Sequence, residues 1–226
     1  MRSGKTLLAR WLAETILDRG SEVMIAALDQ VGRRRLADFI EAVQQPPTKD
    51  PAGVTRWLEA LIQHAMEHRA SALVDTGGGD LSVPRLLAAL PDLTTVMREA
   101  GVAPVGVYVV GGDPLDLNVL AADVAAGFRP ETCLVLNHGL VDPTQSPREA
   151  FRRVTSHPVY REAVAGGAAV LEMPRLDTET LAEIDRRRLH FGAARDTLSP
   201  FRRSYTRRWM EDMAAEFERI RTWVPA

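Results

Sequence analysis

Short apolar runs alternate with amphipathic helical stretches along this chain, and that alternation restricts the fold more than any other feature. The predicted strands are residues 23–28, 72–74, 105–110, 132–136 and 168–171. Buried strands that alternate with helices are typical of a parallel sheet with helices on both faces. The sequence therefore predicts an α/β fold built on a mostly parallel sheet.

Helical periodicity accounts for most of the remaining chain. The predicted helices are residues 6–19, 54–69, 84–100, 114–126, 178–191 and 200–223. No internal repeat, low-complexity tract or linker divides the chain. We expect one domain over residues 1–226, with C-terminal helices in residues 178–224.

Composition excludes several classes of protein. The chain of 226 residues is 46% hydrophobic with a net charge of −2, which is ordinary for a globular protein. No apolar run has the length of a membrane span, and the amino-terminal segment does not resemble a signal peptide. The single cysteine, Cys133, excludes an intramolecular disulfide and is expected to be a small buried residue. These features predict a cytoplasmic protein.

Lysine is almost missing from the chain, which makes the position of one lysine informative. Of the 28 basic residues only Lys5 and Lys49 are lysines. Lys5 lies in Gly4-Lys5-Thr6, directly before a helical pattern, and these residues match the end of the phosphate-binding motif G-x-x-x-x-G-K-[ST]. A flexible ammonium suits β- and γ-phosphates better than a planar guanidinium does. We therefore predict that Gly4, Lys5 and Thr6 bind nucleotide phosphates; the alternative is an ordinary N-terminal lysine.

The phosphate-binding motif begins in mid-pattern. Its first glycine and the strand that normally precedes it would both fall before Met1. We hypothesise that the natural protein starts upstream and that Met1 is an internal methionine. Translation of the upstream DNA in frame tests this idea. An early stop codon, with no apolar strand and glycine before Met1, would contradict it.

Polar residues follow the predicted strands at the point where each strand ends. Ligands of open α/β sheets bind at the carboxyl ends of the strands, so Asp29, Asp75 and Asn137 are expected near one another. Asp75, followed by a glycine run at 77–79, suggests an Mg²⁺ site in which the carboxylate acts through water and Thr6 supplies a hydroxyl. The alternative for Asp75 is a tight turn after a strand.

The other two strand ends also allow two interpretations each. A carboxylate at Asp29 could orient an attacking water, or it could cap a helix or begin a turn. The amide of Asn137 could read a purine edge, or it could form a turn before Gly139. Residue type alone does not decide between these roles.

In order and spacing, these motifs resemble the ParA/MinD class of P-loop ATPases. The class includes plasmid and chromosome partition ATPases and TraL-type conjugation proteins, and the resemblance extends to about Pro174. In the family's Asp-x-Asp segment, Asp29 matches the carboxylate that positions water, whereas Ala27 replaces the first Asp. Arg2 stands where the family usually has Gly, and the family's signature lysine would lie before Met1.

The resemblance implies an ATP- and Mg²⁺-dependent switch in which Lys5 and Asp29 are catalytic. Gly4, Lys5, Thr6, Asn137 and Pro174 would bind the nucleotide. ATP would join two subunits into a homodimer, and hydrolysis to ADP and phosphate would release it. A protein partner from a plasmid partition or transfer system is also implied.

Partition members bind DNA non-specifically through basic residues, and a basic block occurs near the C-terminus of this chain. The candidate DNA contacts are Arg186, Arg187, Arg188, Arg202, Arg203, Arg207 and Arg208. The alternative is a solvated helix face with salt bridges to Glu179, Glu183, Glu211 and Asp212. A salt titration of DNA binding distinguishes the two interpretations.

Two other functions remain open from the sequence. A small-molecule kinase of P-loop type could use Arg152-Arg153 or the arginines at 186–188 to clamp phosphates, although no compact lid insertion is evident. A non-hydrolysing nucleotide-dependent binding protein would be consistent with Ala27 and the incomplete motif. Comparing ATP binding, phosphate release and transfer to a metabolite separates these functions.

Overall fold

The computed structural model describes residues 4–28, 35–77 and 81–224. Its strands in chain order are β1 Met24–Ala27, β2 Val43–Gln44, β3 Ala72–Asp75, β4 Val105–Val110, β5 Glu131–Asn137 and β6 Ala169–Met173. Its α-helices are α1 Lys5–Asp18, α2 Pro51–His68, α3 Ser82–Ala89, α4 Leu93–Glu99, α5 Asn118–Ala125, α6 Pro147–Ala150, α7 Arg152–Thr155, α8 Pro158–Ala165, α9 Thr178–Arg187, α10 Phe191–Thr197 and α11 Pro200–Phe217. The fold is therefore α/β, as predicted.

The described strands form two parallel sheets rather than the one sheet expected. The first has the order β2-β1-β3 and the second the order β4-β5-β6. In the first sheet Ala27 pairs with Asp75, and in the second Asn137 pairs with Met173. The central strands β1 and β5 are the most buried, as their near-continuous apolar sequences require.

Helix α1 covers one face of both sheets. Its Ala9 and Ala13 pack in a cluster with Ile25 of β1. Its Leu8 and Trp11 pack in a second cluster with residues of β4, β5 and β6. Helices α2, α3 and α4 cover the opposite face of the first sheet.

Both sheets run in the same direction. Helix α1 packs on β1, and the short connection 19–23 links the end of α1 to the first residue of β1. The helix must therefore run antiparallel to that strand. Gly4, at the start of α1, therefore lies towards the carboxyl end of β1. Gly4 also lies against the last residues of β5 and β6. The carboxyl ends of both sheets consequently lie at one edge of the molecule.

Several boundaries differ from the sequence prediction. The helix expected at 84–100 is divided into α3 and α4 because Pro91 cannot continue an α-helix. The helix expected at 178–191 ends at Arg187, since Arg188 adopts a left-handed conformation with φ of 50°. Strand β2 and the four short helices α6, α7, α8 and α10 were not predicted. Each is too short to give a clear periodic pattern.

A buried arginine joins α1 to the C-terminal helices. Arg10 is 2% exposed and donates hydrogen bonds to Glu14 at 3.0 Å and to Asp185 of α9 at 3.2 Å. Its guanidinium lies 3.9 Å from the ring centroid of Phe39 and 4.2 Å from that of Phe191. Burial lowers the pKa of Arg10 and raises that of Glu14. Within the described ranges, no helix has both the length and the apolar character needed to cross a membrane.

Candidate functional site

Gly4 lies at the centre of the candidate site, and only glycine fits there. Its φ is +89°, in the left-handed region that side chains disfavour. A Cβ atom on Gly4 would lie 2.3 Å from Asn137 Nδ2 and 3.2 Å from Met173 Cε. The chain thus brings residue 4 into close contact with two strand ends that are more than a hundred residues away in sequence.

Asn137 holds a turn at the same place. The backbone amide of Gly139 donates to Asn137 Oδ1 at 2.8 Å, so the side chain caps the 3₁₀ turn that follows β5. Asn137 is only 3% exposed. The turn interpretation of this residue is therefore realised in the structure. Reading of a purine edge by Asn137 stays a prediction.

Three further contacts connect this turn to the end of β6. His138 Nε2 lies 3.1 Å from Glu172 Oε2. Arg175 Nη2 donates to the carbonyl of His138 at 3.0 Å and also to the carbonyl of Val141. The sequence interpretation missed these residues, because nothing in local spacing links positions that lie more than thirty residues apart. Together these contacts link the turn after β5 to residues at the end of β6.

Pro174 follows β6 directly and is bonded to the C-terminal helix α11. The indole Nε1 of Trp209 donates to the carbonyl of Pro174 at 2.9 Å. Trp209 is itself buried, and this bond satisfies its indole N–H. It also positions the segment at 173–175 relative to Gly4.

Lys5 and Thr6 are the first two residues of α1, and both are half-buried. The first turn of a helix presents backbone N–H groups without intrahelical partners, and the helix dipole adds positive potential there. Lys5 itself is in that first turn and adds a cationic side chain. This end of α1 therefore combines the features that bind anions at helix N-termini.

Asp75 is the last residue of β3 and is 4% exposed. Its carbonyl accepts a hydrogen bond from the amide of Leu28 at 2.9 Å. The neighbouring Ala27 is 1% exposed and pairs with Asp75 across the sheet. Asp29 and the glycines at 78 and 79 lie outside the described residues, as does Arg2.

The residues expected to bind Mg²⁺ belong to separate elements, with Thr6 on α1 and Asp75 on β3. Among residues 4–28, 35–77 and 81–224, no group of three or more His, Cys, Asp or Glu side chains could hold a metal ion by itself. A site formed by Thr6 and Asp75 would need the nucleotide phosphates and water to complete it, which is the usual arrangement for Mg²⁺.

The arginines of the C-terminal block fall into two groups. Arg202 forms ion pairs with Glu179 at 3.4 Å and with Glu183, and Arg187 pairs with Glu183 at 3.4 Å. Arg208 is highly exposed and lies 4.0 Å from Asp212. For these arginines the salt-bridge interpretation is realised.

The remaining arginines include a pair that lines an open groove. Arg203 and Arg207 of α11 lie with Arg195 of α10 along a groove of about 810 Å³. Asp196 and Glu211 also line it, so its charge is mixed. Within the described part of the chain, Arg203 and Arg207 form no ion pair. Arg186 and Arg188 are exposed and likewise form no ion pair among the described residues, so these four arginines are the ones that the salt-bridge interpretation does not account for.

No protein-family model matches the chain, and no curated protein is significantly similar to it.

Proposed function

We propose that this chain binds ATP with Mg²⁺ at the carboxyl edge of its sheets and acts as a nucleotide-dependent switch of the P-loop type. The observation that carries this proposal is the position of Gly4. A glycine with positive φ, pressed against Asn137 and Met173, begins the helix that carries Lys5 and Thr6. Such close backbone approach at a helix N-terminus suits a phosphate cradle.

The residues present fit the phosphate portion of ATP. In the proposed complex, backbone amides of the first turn of α1 and the ammonium of Lys5 contact phosphate oxygens. Thr6 supplies a hydroxyl to Mg²⁺, and Asp75 acts on the ion through water. Asn137 and Pro174 would contact the base and ribose.

The proposed switch is a homodimer that forms with ATP and separates after hydrolysis. Asp29 orients the water that attacks the γ-phosphate, and hydrolysis yields ADP and phosphate. The switch works in the cytoplasm with a partner from a plasmid partition or transfer system. Its proposed DNA contacts lie in the arginine block, of which Arg186, Arg188, Arg203 and Arg207 form no ion pair among the described residues. Arg203 and Arg207 are the two that line the groove.

Three solution measurements test this function. Isothermal titration with ATP and Mg²⁺ measures binding, light scattering after gel filtration measures the oligomer, and phosphate release measures turnover. We expect saturable ATP binding, a dimer with ATP but not with ADP, and release that Asp29→Ala stops while binding persists. Absence of ATP binding would refute the proposal. Normal turnover by Asp29→Ala would refute the role of Asp29 alone.

A second function, binding without hydrolysis, is favoured by one observation. Ala27 is fully packed at a position where the family places a carboxylate, so no charged group from that residue can assist the reaction. Saturable binding with no phosphate release, with or without DNA, would assign this function instead. Transfer of phosphate to a metabolite would assign the chain to the kinases.

A further inference from the structure

Two histidines on the exposed face of α2 lie one helical turn apart. His64 and His68 occupy positions i and i+4, which meet on one side of an α-helix. Their rings are stacked, with centroids 4.1 Å apart and planes inclined by 26°. Both side chains are exposed, so an ion can reach the rings from solvent. Two imidazoles with this spacing on a helix form a chelating pair for metal ions.

A hydrogen bond decides which nitrogen of His68 is available to an ion. Nδ1 of His68 lies 3.0 Å from the carbonyl oxygen of His64. Because a carbonyl only accepts, Nδ1 carries the proton, and in the neutral ring the lone pair is on Nε2. Metal-binding histidines commonly use this arrangement, in which one ring nitrogen donates to a carbonyl and the other holds the ion. The backbone of α2 thus orients one of the two ligands.

The separation of the two rings suits a small ion. Zinc binds imidazole nitrogen at about 2.0–2.1 Å, so two ligands of a tetrahedral zinc ion lie about 3.3 Å apart. The stacked rings approach that separation, and exposed side chains can complete it by small torsional changes. Imidazole suits zinc, copper and nickel, whereas magnesium prefers oxygen ligands. The pair therefore favours a different ion from the one proposed to accompany ATP.

Glu67 places a carboxylate next to the histidine pair. Residues 64–68 have the spacing H-x-x-E-H, which also occurs in a class of zinc peptidases. Catalytic zinc takes three protein ligands. Over the part of the chain that the structure describes, no group of three or more His, Cys, Asp or Glu side chains could hold an ion. Glu67 instead accepts a hydrogen bond from Gln63 at 2.8 Å. The spacing therefore supports metal binding without a hydrolytic role.

We propose that His64 and His68 bind one divalent transition-metal ion, such as Zn²⁺, Ni²⁺ or Cu²⁺, through two imidazole nitrogens, with water at the remaining positions. Helix α2 ends at His68 and β3 begins at Ala72, so the pair lies towards the amino end of β3. Gly4 lies at the opposite, carboxyl edge, and the metal site is therefore independent of the proposed nucleotide site. An ion that binds only the folded chain also stabilises it.

Isothermal titration of the untagged chain with Zn²⁺, performed without nucleotide, tests this site. We expect one ion per chain and a loss of affinity of about tenfold or more in both His64→Ala and His68→Ala, because one ligand alone cannot chelate. His190→Ala removes another exposed histidine and should bind Zn²⁺ as the original chain does. An equal concentration of Mg²⁺ should not compete.

A second control keeps the number of histidines at five and changes only their spacing. The double variant Gln63→His with His64→Ala places two histidines five residues apart, where they point to different sides of the helix. It should bind Zn²⁺ as weakly as His64→Ala does. Undiminished affinity in either single variant or in this double variant would overturn the proposal, and so would equal competition by Mg²⁺.

Thermal unfolding checks the same site through the stability of the fold. Zn²⁺ should raise the Tm of the original chain and of His190→Ala, and it should leave the Tm of His64→Ala and His68→Ala unchanged. An equal rise in Tm for all four proteins would place the bound ion elsewhere and would also overturn the proposal.

Discussion

Replacement of Gly4 by alanine should disturb the site in a way that the structure allows us to calculate. The change places a methyl group where φ is +89° and where Asn137 Nδ2 would be 2.3 Å away. Two separate penalties follow. The first is the left-handed backbone, and the second is displacement of the Asn137 carboxamide from its turn.

The backbone penalty is about 1–2 kcal/mol for a residue with a Cβ. Displacement of Asn137 breaks its bond to Gly139, which adds about 0.5–1.5 kcal/mol. Together the free energy of unfolding should fall by about 1.5–3.5 kcal/mol, because each penalty acts on the native state. For a chain of this size, each 1 kcal/mol lowers Tm by roughly 2–4 °C.

Gly20 provides a matched control. Its φ is +74° and a Cβ atom there would meet nothing within 4 Å, so Gly20→Ala carries the backbone penalty alone. Urea unfolding, monitored by circular dichroism, gives the free energy of unfolding of both variants. Asn137→Ala completes a double-mutant cycle with Gly4→Ala. We expect Gly4→Ala to lower the free energy of unfolding by about 1 kcal/mol more than Gly20→Ala does. This difference should vanish in the Asn137→Ala background. Equal costs in both backgrounds would refute the contact between Gly4 and Asn137.

Three further predictions concern the core and the groove. Arg10→Met should lower the free energy of unfolding by about 3–5 kcal/mol, measured in urea, because it leaves a buried carboxylate without its partner; a loss below about 1 kcal/mol would contradict this buried pairing. Burial raises the pKa of Cys133 to about 12, above the ordinary value of 9.0. The buried neutral thiol therefore contributes its full stability to the fold below pH 9, and this contribution is lost as the pH rises towards 12. A thiol reagent at pH 8 should therefore label Cys133 only after unfolding, and rapid labelling of the native protein would show that this thiol is accessible. The double variant Arg203→Ala with Arg207→Ala should reduce the slope of log affinity against log salt for DNA binding by the equivalent of about two phosphate contacts, whereas Arg202→Ala should leave it unchanged. Equal effects would exclude the groove as the contact surface.

The alternation of strands and helices could be predicted from the sequence because each long element carries its own periodicity. Strand β5 and helix α1 were predicted to within a residue or two at most ends. Strand β2 and helices α6, α7, α8 and α10 were not predicted, whereas the equally short helices α3 and α5 were, because each of those two lies within a longer helical pattern. The separation of the strands into two sheets also escaped prediction, because periodicity does not specify which strands pair.

The candidate site shows the same division. Gly4, Asp75 and Asn137 could be selected because each follows or precedes a predicted element. The contact of Gly4 with Asn137 depends on tertiary packing, and so do the contacts of Arg175 with the turn after β5. The arginine block could be found by counting charges. Its division into paired residues and the groove residues Arg203 and Arg207 required the positions of the neighbouring acids.

The most direct test of the central claim compares the two lysines of the chain. Lys5→Ala and Lys49→Ala remove the same charge, and only Lys5 lies at the start of α1. ATP affinity is measured by isothermal titration with Mg²⁺, after circular dichroism has shown that both variants fold. We predict that Lys5→Ala abolishes ATP binding and that Lys49→Ala binds as tightly as the original chain. Unchanged ATP binding by Lys5→Ala would contradict the phosphate-binding role of this helix.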